Sequence, residues 1–289
     1  MIFQRTPGPG TCDAEYALDL SNGQISLLSS GKGRTTCGYW SYPDGGRIIY
    51  ATTEAAGDAC PPVPDHSQGY VWPLYPSLDL VWQAPGGEPE PFLAREGYDA
   101  EATACRTDGR LVFTSTRDGD LDLYLVNPDG TGLERVTDTP GYDGGAFFSN
   151  DCKGLVWRAS RPEGADLEEY RSLLAKDLVR PSALEIYWMD LATHEVQQLT
   201  DNGAANFAPY PLPDDSGALY SSNAGGSGRE FDIWRVSRGG GEPERITSAP
   251  GFDGFPMFSP DGRWLMFSSN RATAEGSSDT NLFVARWVE

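Results

Sequence analysis

Short runs of apolar residues, each separated from the next by a tight turn, recur from one end of the chain to the other. The stretch Phe258–Asn270, FSPDGRWLMFSSN, shows the unit. Phe258 closes one strand. Ser259-Pro260-Asp261-Gly262 is turn chemistry, because Pro presets φ, Asp bonds its own backbone and Gly accepts φ > 0. Trp264–Phe267 is then a mostly apolar run, as expected of a strand covered on both faces.

The aromatic residue at the centre of that second strand recurs as Phe3, Tyr50, Phe113, Trp157, Tyr220 and Phe267. A third strand follows each, usually with an acid near its start, over 15–20, 78–83, 121–126, 184–189, 231–236 and 281–286. A fourth ends in a leucine-threonine type of pair, as in LERVT, VQQLT and PERIT. The first strand runs into a turn, seen at 42–45 (YPDG), 106–109 (RTDG), 149–152 (SNDC), 212–215 (LPDD) and 259–262 (SPDG). Four short antiparallel strands repeating at about 40–50 residues predict propeller blades.

With the strands lettered a to d from the axis outward, the chain reads b-c-d, four full a-b-c-d sets and a final a-b-c. The expectation is an all-β, six-bladed β-propeller in a single domain over residues 1–289, with blade pieces at about 1–30, 31–95, 96–138, 139–201, 202–248 and 249–289. The first and last blades are incomplete, and an upstream piece is expected to supply the ring-closing strand. Insertions at 53–77, 161–183, 223–230 and 271–280 all fall between strands b and c, which places them on one face with the d–a loops. Within the second of them, Leu167, Tyr170, Leu173, Leu174 and Leu178 stand at helical spacing, which predicts one short helix in Glu163–Arg180, ended before Pro181.

Charge narrows the partners. The formal net charge is -20, which argues against nucleic acid or an anionic membrane. No apolar run is long enough to span a bilayer, and MIFQRTPGPG lacks the apolar core of a signal peptide. Five cysteines make an odd set without a CxxC pair, so a zinc or thioredoxin-type site has little support. Cys12, Cys37 and Cys60 cluster near the start, and a disulfide between Cys12 and Cys37 is expected if the protein is exported.

The SPDG turn, the FxS second strand (FTSTRDG at 113–119, FSSNR at 267–271) and the D-[LI]-[YW] third strand resemble the WD-like repeats of TolB-type propellers. The stretches GYDAEAT, GYDGGAFFS, RPSALEIYWM, GAANFAPY and GREFD resemble a bacterial TolB-like group without assigned chemistry. The resemblance implies a periplasmic or extracellular interaction scaffold. The separate α/β domain that precedes the propeller in TolB is not seen in this sequence, so a role in the Tol-Pal envelope system does not carry over.

The d–a loops hold the strongest constellation: Tyr98, Asp99 and Glu101; Tyr142 and Asp143; Asn206 and Phe207; Phe252 and Asp253. Thr36 takes the like position in blade two. On a ring these would form an acidic, aromatic mouth. Hard oxygens there suit calcium in the channel, and aromatics suit a sugar face or a peptide side chain. The competing structural reading has each acid satisfied within its own loop. Arg117, Arg158, Arg161, Arg229 and Arg271 lie in or near the b–c loops, either pairing with those acids or holding a carboxylated ligand. Asp118, Asp120 and Asp122 imitate the start of a calcium loop, but Leu123 stands where that loop needs Gly.

The chain contains two histidines, of which His66, in an aromatic b–c loop, is the better functional candidate; His194 lies in a c–d turn. No G-x-S-x-G elbow occurs. The reading is therefore a non-catalytic, monomeric scaffold with no required cofactor, binding a protein or an oligosaccharide. The alternative is a carbohydrate-active hydrolase or lyase using the acids around the channel.

Overall fold

The computed structural model describes residues 1–8, 10–65, 69–226, 228, 230–274, 277 and 279–288. His66 and Arg229 lie outside the described residues.

The fold is a six-bladed β-propeller of mainly four-stranded antiparallel sheets. Blades two to five each carry strands a, b, c and d in spatial order. In blade three these are Asp99–Ala104, Leu111–Ser115, Asp122–Val126 and Glu134–Arg135. Blade one holds Ile2–Arg5, Ala14–Leu18 and Ile25–Leu27, and blade six holds Asp253–Phe258, Trp264–Ser269 and Asn281–Arg286. Two compact units are distinguished. One spans Met1–Ala146 and Arg161–Arg180, the other Phe147–Ser160 and Pro181–Glu289.

In the first unit the core is built from strands b and c and the residue that leads into strand c of blade three: Tyr50, Leu80, Phe113, Leu121 and Leu123 are fully buried. In the second the same positions are Trp157, Tyr220 and Ile233, also fully buried. The aromatic on strand b meets an aromatic on strand c directly across the ladder. Phe113 and Tyr124 have ring centroids 5.7 Å apart, Trp157 and Tyr187 5.7 Å, and Phe267 and Phe283 5.6 Å. Such cross-strand pairs contribute about 0.5–1.5 kcal/mol beyond the area they bury.

The helix is shorter than the leucine spacing predicts. It runs Gly164–Leu174, and Leu178 belongs instead to a short strand, Leu178–Val179. The chain turns at Asp177, whose φ is 56° and whose carbonyl accepts the Leu74 N–H at 2.8 Å. Leu178–Val179 then pairs with Trp72–Pro73, so the blade-two and blade-four insertions share a two-stranded sheet. Tyr170 is the buried residue of the helix, and its hydroxyl donates to Asp120.

The expected Cys12–Cys37 bond is not formed. Cys12 pairs with Cys60, their Cα atoms 5.4 Å apart. Cys37 is held in strand a of blade two, Thr35–Trp40, with its sulfur 3.2 Å from the Thr36 hydroxyl. The loop after Thr53 carries Cys60 back toward Cys12, fastened by the Gly33 N–H donating to the Asp58 carbonyl at 2.9 Å. Disulfides of this kind point to an oxidising compartment.

Candidate functional site

Strand a opens with the residues that the repeat singles out. Asp99, Asp143, Asn206 and Asp253 are each the first residue of their strand, and each is 0–1% exposed. A buried carboxylate is costly unless it is paired and hydrogen-bonded. The partner is an arginine 18 residues further on, just past strand b of the same blade. Arg117 Nη2 lies 2.9 Å from Asp99 Oδ2. Arg161 grips Asp143 through both nitrogens, at 2.7 Å and 3.1 Å. Arg271 binds Asp253 in the same way through Nη2.

The motif aromatic-x-Ser-x-Arg explains how the arginine is aimed. Arg117 Nε donates to Ser115 Oγ at 3.0 Å, and its guanidinium lies 5.0 Å from the Phe113 ring and 4.9 Å from that of Tyr124. Arg271 repeats this with Ser269 at 2.9 Å, Phe267 at 5.1 Å and Phe283 at 5.4 Å. Arg161 follows Trp157 at the same spacing, with Ala159 in place of the serine. One arginine thus stacks on the aromatic pair of strands b and c and neutralises the acid of strand a. In blade five the corresponding residue is Ala224, and the acid is accordingly an amide. Asn206 donates to Glu185 at 2.9 Å and accepts from the Ser222 hydroxyl at 2.5 Å.

These carboxylates are therefore buried and ion-paired, which is the pairing of arginines with d–a acids that the sequence offered beside an open acidic mouth. Burial pushes the Asp99 carboxyl above its ordinary value, against the opposing pull of Ser115 and Arg117. Asp118, Asp120 and Asp122 are likewise occupied one by one: Asp118 by the Tyr124 hydroxyl at 2.5 Å, Asp120 by the N–H groups of Leu121 and Gly141, and Asp122 by Arg135 at 2.7 Å. Among the described residues no group of three or more His, Cys, Asp or Glu side chains is arranged to hold a metal ion.

The third residue of strand a is a feature that the sequence did not reveal. Its φ is positive in every blade that has the strand: Cys37 57°, Glu101 59°, Gly145 60°, Ala208 49° and Phe255 56°. Ladder registers shift there, as between Thr36 and Tyr39 or Gly254 and Met257, which marks a β-bulge. Four of the five residues are not glycine, so the left-handed backbone is imposed by the fold. The bulge turns the N–H of Phe255 onto Ser221 Oγ at 3.0 Å and that of Gly145 onto Glu101 Oε2 at 2.9 Å. Glu101 also accepts from Thr114 Oγ1 at 2.9 Å and from the Tyr142 hydroxyl at 3.4 Å.

The aromatic candidates separate. Tyr98 and Tyr142 are buried, the latter 6.3 Å from Trp72 in an edge contact. Phe207 and Phe252 belong to a quartet with Phe231 and Phe255, their centroids 5.3–6.3 Å apart. Phe255 is 54% exposed, a large apolar ring held on the surface by its bulge. Arg158 is buried on strand b, opposite Ile186.

No family model matches the chain. A structure described as a TolB from Agrobacterium tumefaciens matches with a TM-score of 0.65 at 20% identity, over 93% of this chain and 86% of that one. TolB from Acinetobacter baumannii matches with a TM-score of 0.60 at 17% identity, over 99% and 66%. The fold is that of the TolB-like β-propellers. Among curated proteins, the uncharacterized protein Atu1656 of Agrobacterium fabrum is 33% identical over 192 residues, which is 63% of this chain and 56% of that protein. The chain spans 22% and 30% of the length of two other curated relatives it matches.

The insertions of blades two and four are joined by the pairing of Trp72–Pro73 with Leu178–Val179, and the Tyr170 hydroxyl ties the helix to Asp120. Tyr170→Phe removes the bond to Asp120 and leaves that carboxylate with two backbone donors. A loss of about 1–2 kcal/mol is expected. Limited proteolysis should then cut within 161–183 faster than in the parent.

Proposed function

We propose that this chain is the propeller of an exported, non-catalytic binding scaffold, acting in the periplasm or outside the cell. It holds a polypeptide or saccharide ligand on the face carrying the b–c insertions and the d–a loops. The observation that supports this reading is the fate of the acids. Asp99, Asp143 and Asp253 are each neutralised by a guanidinium of their own blade, so they brace strand a. The alternative, a hydrolase or lyase, needs two carboxylates facing one substrate with one of them protonated. Nucleic acid is disfavoured by a net charge of -20.

The exposed ring of Phe255 supports a polypeptide ligand with an apolar side chain over a purely polar one. Phe255→Asn tests this, because Asn tolerates a left-handed backbone better than Phe does. The variant loses the ring contacts with Phe207 and Phe252 and is expected to be about 1–2 kcal/mol less stable than the parent while remaining folded. Against a panel of peptides, plant and bacterial oligosaccharides and calcium, a ligand of the parent should raise its melting midpoint and should fail to raise that of the variant. A shift that survives the substitution places the ligand elsewhere.

A further inference from the structure

Asp99 is met by two guanidinium groups. Arg117 clamps its Oδ2 at 2.9 Å, and Arg95 stands 3.9 Å from its Oδ1. Blade six shows how much charge such an acid requires. Asp253 is 1% exposed, and among the described residues Arg271 is its only guanidinium. The position four residues before it, where blade three has Arg95, holds Ala249. One arginine is therefore enough to bury a strand-a carboxylate, and Arg95 is surplus to that task.

The Arg95 side chain is positioned but little used. Its backbone N–H donates to Asp79 Oδ1 at 3.0 Å, which fixes the loop, and Nη1 makes one long bond to Ser115 Oγ at 3.4 Å. Among the described residues Nε and Nη2 donate to no acceptor. Those two nitrogens form the side edge of the guanidinium, the fork that binds a carboxylate through two parallel bonds. Gly97 keeps the space beside it clear, since a Cβ there would stand 3.0 Å from Nη2. Arg117 is fully engaged by contrast. Its Nε donates to Ser115, its Nη2 donates to Asp99, and its guanidinium lies against Phe113 and Tyr124. The Arg117 side chain is 13% exposed and that of Arg95 31%, so solvent reaches the idle guanidinium more readily than the occupied one.

We propose that Arg95 is a binding site for a single carboxylate of a polypeptide ligand, at the d–a loop that enters blade three. The inference rests on the reading of this face as the ligand face. The surroundings select the source of the carboxylate. Glu96, next in the chain, is exposed, and the net charge is -20. An acidic polysaccharide brings many like charges into that field and is repelled. A neutral or basic polypeptide brings one carboxylate to the fork and a cationic group to Glu96.

The test titrates the whole chain with Nα-acetyl-lysine, which carries one carboxylate and one ammonium. The readouts are the Arg95 Nε–H and Gly97 amide resonances. Both should shift, saturating at millimolar concentration, and exchange of the Nε proton should slow. Nα-acetyl-lysinamide lacks the carboxylate and should bind at least about tenfold more weakly. Acetyl-aspartyl-lysinamide carries its carboxylate on a side chain. Binding by either acid supports the site, and the tighter of the two shows whether the fork reads a chain end or an acidic residue. Arg95→Lys keeps the charge and loses the fork. Followed at the Gly97 amide, it should bind the acids at least about tenfold more weakly. Arg95→Gln should abolish the response and melt within about 2 °C of the parent, because Arg117 still holds Asp99.

Three results overturn the proposal. One is equal binding of acid and amide, or no response to either acid at about 50 mM. Another is tighter binding of trigalacturonate than of both monocarboxylates. The third is a fall of about 6 °C or more in Arg95→Gln, which would make Arg95 a structural counter-ion of Asp99. None of the probes carries a large apolar ring, so their binding does not depend on Phe255, and either reading can fail alone.

Discussion

Asp143→Asn is expected to cost about 3 kcal/mol of stability, the lower end of the 3–5 kcal/mol typical for breaking a buried ion pair. Asp143 is fully buried and holds Arg161 through both of its nitrogens, at 2.7 Å and 3.1 Å. The asparagine removes the negative charge and leaves a guanidinium with no counter-charge at this contact. The Arg161 side chain is 26% exposed and recovers part of its hydration, which sets the lower end of the range. Arg161→Met removes the same contact from the other side and should also lower stability. The double variant should be milder than the sum of the two, as residues sharing one contact are non-additive. At about 2–4 °C per kcal/mol the single change lowers the melting midpoint by roughly 6–12 °C.

The same measurement separates the two functional classes. A structural carboxylate loses stability when it is neutralised. A catalytic one loses turnover while the melting midpoint holds. An Asp143→Asn variant that melts with the parent overturns the bracing role assigned to the arginine clamp. It would return Asp143 to the carbohydrate-active alternative. Asp253→Asn repeats the test in the other compact unit, where Arg271 is 34% exposed, and should show a similar or slightly smaller loss.

The blades were legible because each carries its own punctuation. A Pro-Asp-Gly type of turn, an aromatic-centred strand and an acid at the start of the next strand repeat at nearly constant spacing, and each is a local matter of φ/ψ and burial. The arginines and acids were also visible as two separate series. Their pairing was one of two readings, a carboxylated ligand being the other, and choosing between them depends on strand b bringing residue 117 back to residue 99. The bulge was invisible for a different reason. Cys37, Glu101, Ala208 and Phe255 share no side-chain chemistry, and three-dimensional strain leaves no mark in composition. The pairing of Trp72–Pro73 with Leu178–Val179 joins two insertions from different blades, with no periodicity to announce it. Cys60 sits in the same long insertion as Trp72, so the Cys12 bond escaped for the same reason: loop trajectories are not written in residue spacing.

Glu15 carries the other large effect. Its repeat position is held by Leu80, Leu123, Ile186 and Ile233 in blades two to five, all fully buried. Blade one puts a carboxyl there, 1% exposed, paired across the ladder with Gln4. Among the described residues no hydrogen bond reaches its Oε1. Burial raises its pKa from 4.5 to about 7; the Gly38 N–H opposes the shift and the nearby Asp13 charge adds to it. A carboxyl whose folded pKa is raised binds its proton more tightly in the folded state. Its native state is then favoured below the unfolded pKa, and stability falls as pH rises from 4.5 toward 7. At 1.36 kcal/mol per unit, a shift from 4.5 to about 7 corresponds to roughly 3 kcal/mol lost by neutral pH. Glu15→Gln keeps the shape and removes the titration. The two proteins should melt together near pH 4, and the variant should gain steadily between pH 4.5 and 7, levelling at about 3 kcal/mol above that range. Glu15→Leu restores the apolar residue of the other blades and should follow the same curve. Parallel melting curves across the whole pH range would show that water or a shifted backbone already solvates the carboxylate, and would remove blade one as the point where rising pH weakens this propeller.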